Sequence, residues 1–188
     1  MTAVVAWTRG VGPARIVAAA LMAGIVLAGL VFDDAVRHSE ACLSAATVRA
    51  SGLADAVCLT DAVTYHVDGR LAGHAVTYGC SAVLLMPPVA AVCSFLALVR
   101  RIPLIRPVAA FLVATTMLVL ANQARMLAIV LGMRNFGVET GYALTHVLIG
   151  TAVSVFGVLA SGYLAIQILI TGRGADAPRS ALSMRPAR

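Results

Sequence analysis

Charged residues are scarce in this 188-residue chain, where they make up 12% of the sequence. Ordinary soluble domains carry about 25% charged residues, so the 61% hydrophobic content excludes that class and predicts a polytopic membrane protein. Lysine is absent, and all 14 basic residues are arginine. The formal net charge is +6, but no soluble basic face exists to carry it. We therefore predict no nucleic-acid partner.

Internal repeats and low-complexity tracts are also lacking, which favours one membrane domain over residues 1–172. A basic, disordered cytoplasmic tail is predicted for residues 173–188. The first apolar segment has no clear A-x-A cleavage site after it, so we predict a retained helix. The expected fold is all-α, with a polar outer loop at 33–75 and four transmembrane helices of the ~20-residue length that a bilayer requires. The predicted helices cover residues 16–32, 76–99, 107–133 and 142–170.

The arginines predict the orientation of these helices. If the chain crosses four times, nine arginines fall on one side, before the first helix, between the second and third, and after the fourth. The positive-inside rule makes that side cytoplasmic, together with both termini. The loops 33–75 and 134–141 then face outward, and the expected location is the plasma membrane. The nine residues are Arg9, Arg15, Arg100, Arg101, Arg106, Arg173, Arg179, Arg185 and Arg188.

With this topology, three polar residues lie at nearly the same depth. Cys80 and His146 are each about four residues, ~6 Å, inside the outer boundary of their helices. The helix that contains Arg125 enters from the cytoplasm. Arg125 lies ~27 Å along it, close to the outer edge of a ~30 Å core. Three different helices thus bring a thiol, an imidazole and a guanidinium to one level near the outer face.

These three groups together meet the needs of cysteine acyl transfer. A thiolate needs a base or a cation to form, and the tetrahedral intermediate needs a donor for its oxyanion. His146 could act as the base and Arg125 as the donor, while Asn122, one turn before Arg125, could orient the imidazole or add a donor. Each residue alone also has a simpler interpretation: Cys80 as a small hydrophobe, His146 as an interfacial side chain, and Arg125 as a side chain that snorkels to the surface.

The motifs around these residues resemble the exosortase/archaeosortase family. They are GCSAVLLM with Cys80, Asn122-x-x-Arg125, and THVLIGTAVSVFG with His146. The family comprises integral-membrane, cysteine transpeptidase-like enzymes that act on C-terminal sorting signals of exported proteins. Many members have a glycine after the Cys-Ser pair, where this chain has Ala82, and the chain is shorter than the eight-helix members.

The resemblance implies that Cys80, Arg125 and His146 are catalytic, in a site that faces outward. The implied substrates are exported proteins whose C-terminal tail carries a short motif, a hydrophobic helix and a basic end. An amine or a lipid headgroup of the membrane would accept the cleaved chain. No metal or organic cofactor is implied.

The outer loop contains Cys42 and Cys58, in a compartment where disulfides form and persist. We predict a disulfide between them, which would close a loop of a size worth about 3 kcal/mol, with a short helical turn or two in between. Residues 63–78, VTYHVDGRLAGHAVTY, predict a β-hairpin around an Asp-Gly turn, either holding an extended peptide above Cys80 or simply capping the bundle. A zinc site stays conceivable, although the spacing matches no standard finger; its ligands would be the two thiols with His38, His66 and His74.

Two functions of other classes stay open. A four-helix thiol–quinone oxidoreductase would suit the helix count and the outward cysteines, but the chain lacks the C-x-x-C motif that such proteins normally use. A non-catalytic membrane assembly protein would leave the shared depth of Cys80, Arg125 and His146 unexplained.

Overall fold

The structure is a computed structural model that describes residues 11–67 and 69–171. The predicted tail at 173–188 lies outside these residues. The helices are α1 (Pro13–Val31), α2 (Asp33–Ala50), α3 (Met86–Leu98), α4 (Ile105–Phe136), α5 (Val138–Ala143) and α6 (Gly150–Ile170). The strands are β1 (Val57–Leu59), β2 (Ala62–Val67) and β3 (Arg70–Ala75). Short 3-10 turns cover Tyr78–Cys80 and Ala82–Leu85, and a π-helical segment, Leu144–Ile149, joins α5 to α6.

Three helical segments of the described chain are long and apolar enough to cross a membrane: Pro13–Val31, Ile105–Phe136 and Val138–Ile170. They agree with the mostly helical membrane fold expected from the sequence. A further apolar helix, Ala82–Leu98, is shorter than these.

The second predicted helix begins later than expected. Residues 76–85 form 3-10 turns and irregular chain, and regular helix starts only at Met86. The next two residues, Pro87 and Pro88, have no backbone N–H to donate to an earlier turn, so a proline pair favours the start of a helix over its interior. Cys80 therefore lies on a tight turn before the helix and not within it.

Residues 33–75, called the outer segment after the side predicted for them, are more regular than predicted. Helix α2 has 18 residues, and its last part, after Cys42, is the helical turn or two that the sequence indicated there; its earlier part was not predicted. The expected hairpin is present within an antiparallel sheet of order β1-β2-β3. Cys42 and Cys58 form the predicted disulfide, which joins α2 to β1 and leaves neither thiol free as a zinc ligand, while Cys80 and Cys93 are free.

Two apolar clusters hold the chain together. In the outer cluster, the buried face of the sheet packs against α2 and α4, with Tyr65, Met126 and Met133 among its largest members, and Cys80 belongs to it. The inner cluster joins α1, α3 and the first turns of α4. Cys80 thus lies where the outer sheet meets the C-terminal half of α4.

Small residues let α4 approach α5 and α6 closely. A Cβ atom at Gly132 would lie 2.9 Å from the carbonyl oxygen of Gly141, and one at Gly157 would overlap the Ala121 side chain. Such contacts are typical of helices packed within a membrane, where close backbone approach replaces the hydrophobic effect. They hold Arg125 of α4 against the beginning of α6.

Candidate active site

Cys80 ends the 3-10 turn that follows the outer sheet. Its backbone N–H donates to the carbonyl of Thr77 at 2.8 Å, which closes the turn. The hydroxyl of Thr77 donates to the Cys80 sulfur at 3.2 Å. The residue is only 4% exposed. The turn therefore presents the sulfur inward, towards α4, with one hydroxyl donor already in place.

Arg125 reaches this sulfur from α4. Its Nη2 donates to Cys80 Sγ at 3.5 Å, across 45 residues of sequence. The side chain passes Gly150 of α6, where a Cβ atom would lie 2.8 Å from Arg125 Nε. The missing side chain at Gly150 thus provides the space through which the guanidinium extends. Within the described chain, the buried Nε has no hydrogen-bond partner.

His146 lies in the π-helical segment between α5 and α6. Such segments carry an extra residue per turn and are frequent at functional sites. Its ring stacks on Tyr142, with centroids 4.9 Å apart and planes at 9°. Gly150 follows His146 by four residues, so Arg125 crosses α6 about one helical turn from the imidazole. The buried Nδ1 of His146 has no hydrogen-bond partner among the residues described.

Of the residues selected from the sequence, Arg125 and Cys80 are in direct contact, and His146 occupies the next turn of the helix against which Arg125 packs. Asn122 is buried at 8% exposure, and in the described part of the chain its Nδ2 has no hydrogen-bond partner. The same holds for both polar side-chain atoms of Gln123. Helix α4 therefore carries several buried polar groups within one turn of Arg125.

Glu40 is one buried polar residue that the sequence analysis did not select. Its Oε1 accepts a hydrogen bond from the backbone N–H of Ala82 at 2.9 Å, two residues after Cys80. Burial raises the pKa of the Glu40 carboxyl, while hydrogen bonds from Ala82 and Ser81 act in the opposite direction. One signal was available, since Glu40 shares the face of α2 that buries Ser44 and Val48 at helical spacing.

His74 of β3, which the sequence suggested only as a possible zinc ligand, is a second buried polar residue, at 5% exposure. Its Nδ1 lies 3.3 Å from the hydroxyl of Tyr65, and the hydroxyl donates to Met133 Sδ at 3.1 Å. Burial lowers the pKa of His74 to about 4, and the charge of His146 acts in the same direction. The strand alternation places His74 on the buried face with Ala72, a signal that the sequence carried.

The site can offer a thiol, a permanent cation in contact with it, and two histidines with unpartnered ring nitrogens. Over residues 11–67 and 69–171, no three His, Cys, Asp or Glu side chains gather into a group that could hold a metal ion. No protein-family model, curated protein sequence or solved structure matches the chain. The functional conclusion therefore rests on the geometry of these side chains.

Proposed function

We propose that this chain is a membrane cysteine peptidase or transpeptidase of the exosortase type. It cleaves C-terminal sorting signals of exported proteins at the outer face of the plasma membrane. The contact between Arg125 Nη2 and Cys80 Sγ carries the proposal. A guanidinium at membrane depth is costly, so an arginine directed at a buried sulfur fits a chemical role better than a packing role.

In the first half of the reaction, the Cys80 sulfur attacks the carbonyl carbon of the scissile peptide bond. His146 takes the thiol proton, and Arg125 stabilises first the thiolate and then the oxyanion of the tetrahedral intermediate. When the intermediate collapses, the C–N bond breaks and His146 returns the proton to the leaving amine. The products are a thioester on Cys80 and the released C-terminal helix.

In the second half, an amine or a lipid headgroup attacks the thioester carbonyl. His146 removes a proton from this nucleophile, the C–S bond breaks, and the proton returns to the Cys80 sulfur. Water in place of the acceptor gives hydrolysis by the same steps. The exported protein is thereby attached to its acceptor or released.

The proposed topology has four spans, with both termini in the cytoplasm and Cys80 at the outer face. A set of hydrogen bonds supports it. Arg15, at the start of α1, donates to the carbonyls of Ala97, Val99 and Ile102 at 2.8–2.9 Å, at and just after the end of α3. The N-terminal end of α1 and the C-terminal end of α3 therefore lie together, as the arginine distribution requires for a common cytoplasmic side.

The test is cleavage of a co-expressed exported protein that carries the expected tail. Cys80→Ala should abolish cleavage, and Cys80→Ser should be nearly as inactive, because a hydroxyl is much harder to ionise than a thiol. Arg125→Lys should lose about 10²–10³-fold in rate, since a point charge does not replace an aimed donor. Cys93→Ala, in the inner cluster, is the matched control and should retain activity.

Two results would overturn the proposal. Cleavage by Cys80→Ala at the wild-type rate would exclude a cysteine nucleophile at this position. Full activity of Arg125→Lys together with loss of turnover in Cys42→Ala would instead favour the thiol–quinone oxidoreductase, in which the loop cysteines carry the electrons.

A further inference from the structure

His74 is held in the outer cluster in a way that fixes its protonated nitrogen. A hydroxyl donates one hydrogen bond, and that of Tyr65 goes to Met133 Sδ at 3.1 Å. The Tyr65 oxygen is then the acceptor for Nδ1–H of His74 at 3.3 Å. The two rings meet edge to face, with centroids 6.0 Å apart. With its proton on Nδ1, His74 presents Nε2 as a bare acceptor, which is buried and without a partner in the described chain.

His146, in contrast, needs a hydrogen-bond acceptor for its Nδ1. Its Nδ1 is also buried and unpartnered among residues 11–67 and 69–171. To take a proton from Cys80 at Nε2, the neutral imidazole must carry its own proton on Nδ1, and a buried N–H without an acceptor is costly. Tyr142 stacks on one side of this ring and supplies no in-plane acceptor by that contact. Arg125, the charged neighbour, is a donor only.

Both rings belong to the same packed region. Tyr65, Met133, Cys80 and the partly buried Tyr142 all lie in or against the outer cluster. His74 contacts the Tyr65 hydroxyl, and His146 stacks on Tyr142, so each ring touches a residue of this region. Each ring thus adjoins the same cluster, and each has one buried ring nitrogen without a partner in the described chain. Hydrogen bonds in a site without substrate are often long and close only in the complex.

We propose that His74 is a positioning residue of this site: its Nε2 accepts a hydrogen bond from Nδ1–H of His146, which leaves Nε2 of His146 to receive the Cys80 proton. The inference rests on the proposed function. After the transfer, His146 carries both protons and still donates to His74, so no proton moves on to His74. Since His74 stays neutral at pH 7, it remains an acceptor throughout the cycle. The arrangement corresponds to a nucleophile, a base and an orienting group.

The first test measures the tautomer of His146 and needs no substrate. The full chain, labelled with ¹⁵N-histidine in detergent micelles, gives long-range ¹H–¹⁵N spectra in which only four histidines contribute. At pH 7.5 we expect the Nδ1–H tautomer for His146. His74→Leu should convert it to a mixture or to Nε2–H, whereas His74→Gln, whose amide oxygen can accept, should preserve Nδ1–H. His66→Leu, exposed on neighbouring β2, is the matched control.

The second test compares tail cleavage in the same variants. His74→Leu should lower kcat about 10- to 100-fold with little change in KM, a part of the 10²–10⁴ that general base catalysis contributes. His74→Gln should recover most of that loss. Retention of the Cys42–Cys58 disulfide and of the thermal transition identifies variants that fold. If His74→Leu does not fold, the role of His74 is decided by the tautomer of His146 in the wild type and by the tautomer and kcat of His74→Gln.

The outcomes separate the two proposals. An Nε2–H tautomer of His146 in the wild type, or the same tautomer in wild type and folded His74→Leu, overturns the role of His74. Wild-type kcat in His74→Leu, with Cys80→Ala inactive, overturns it while leaving the proposed function intact. Absence of tail cleavage by the wild type counts against the proposed function, and the spectra then still decide whether the two histidines pair.

Discussion

The outer segment and the α4–α6 helix pair are held together by different means. The outer segment uses a disulfide between Cys42 and Cys58 and a set of ion pairs in which Arg37 contacts Asp33, Asp34 and Asp61. The helix pair uses close approach of small residues. Arg37 is 17% exposed, but its partners Asp34 and Asp61 are 95% and 39% exposed, and ion pairs open to water contribute little. The disulfide is therefore the stronger of the outer restraints. Within a membrane, packing must supply what the hydrophobic effect cannot.

The site combines one contribution from each region. Cys80 follows directly after the outer sheet, whereas Arg125 and His146 belong to the tightly packed helices. The position of the sulfur relative to the guanidinium therefore depends on how the outer segment sits on α4. A substitution that loosens one region should lower the stability of that region more than that of the other. This difference in stability can be measured.

The largest effect is expected where two backbones touch. A Cβ atom at Gly141 would overlap the backbone of Gly132, and neither backbone can yield as a flexible side chain would. Gly141→Ala should therefore cost about 3 kcal/mol of unfolding free energy, at the upper end of overpacking effects. Denaturant titration in detergent measures it. Gly162→Ala is the control on α6, since a Cβ there meets nothing within 4 Å. An unaffected Gly141→Ala would mean that α4 and α5 are not in contact.

Removal of the disulfide should act on the other region. The double variant Cys42→Ala/Cys58→Ala should lose about 3 kcal/mol in the chain-entropy model, because the bridge closes a loop of 16 residues. Hydrogen exchange should increase in the sheet and in α2, while α4 and α6 stay protected. Cys93→Ala, which removes one buried sulfur from the inner cluster, should change little. Equal loss of protection in both regions would show that they unfold as one unit.

The same division explains what the sequence could and could not predict. Length and hydropathy were sufficient to predict α1, α4 and α6, and the presence of two cysteines in one polar loop was sufficient to predict the disulfide pairing. The start of α3 was missed because Pro87 and Pro88 override the apolar pattern. The π-helical segment at His146 has no local sequence signature. Helix α2 has a low apolar content, and its signals were Asp33 and Asp34 in the first turn and Arg49 in the last.

A smaller effect is expected for Glu40, which links the two regions through the Cys80 turn. Glu40→Leu removes the acceptor of the buried Ala82 N–H and should cost about 2 kcal/mol, within the range for an unsatisfied buried donor. Glu40→Gln keeps an acceptor oxygen and should cost much less. The pair of variants, compared by thermal unfolding in detergent, separates the hydrogen bond from the packing. Equal stability of the two would contradict a role for this bond.

The smallest effect is a pH dependence that originates in the outer segment. Burial, with the charge of His146, lowers the pKa of His74 to about 4, whereas a free imidazole titrates near 6.5. Between these values the unfolded chain binds more protons than the folded chain, so stability is complete above 6.5 and falls as the pH decreases towards 4. From pH 7.5 to 5.5 the loss should be about 1.4 kcal/mol, one pKa unit.

Other groups titrate as well, so the measurement compares how the unfolding free energy of two variants changes with pH. The raised pKa of Glu40 acts in the opposite sense, since the folded chain there favours the protonated carboxyl at low pH. Subtracting the pH profile of His74→Gln from that of the wild type removes this contribution and leaves that of His74. His66→Gln, exposed on β2, should keep the wild-type slope. If His74→Gln also kept the wild-type slope, His74 would be accessible to protons in the folded chain, and the sheet would not shield it from water.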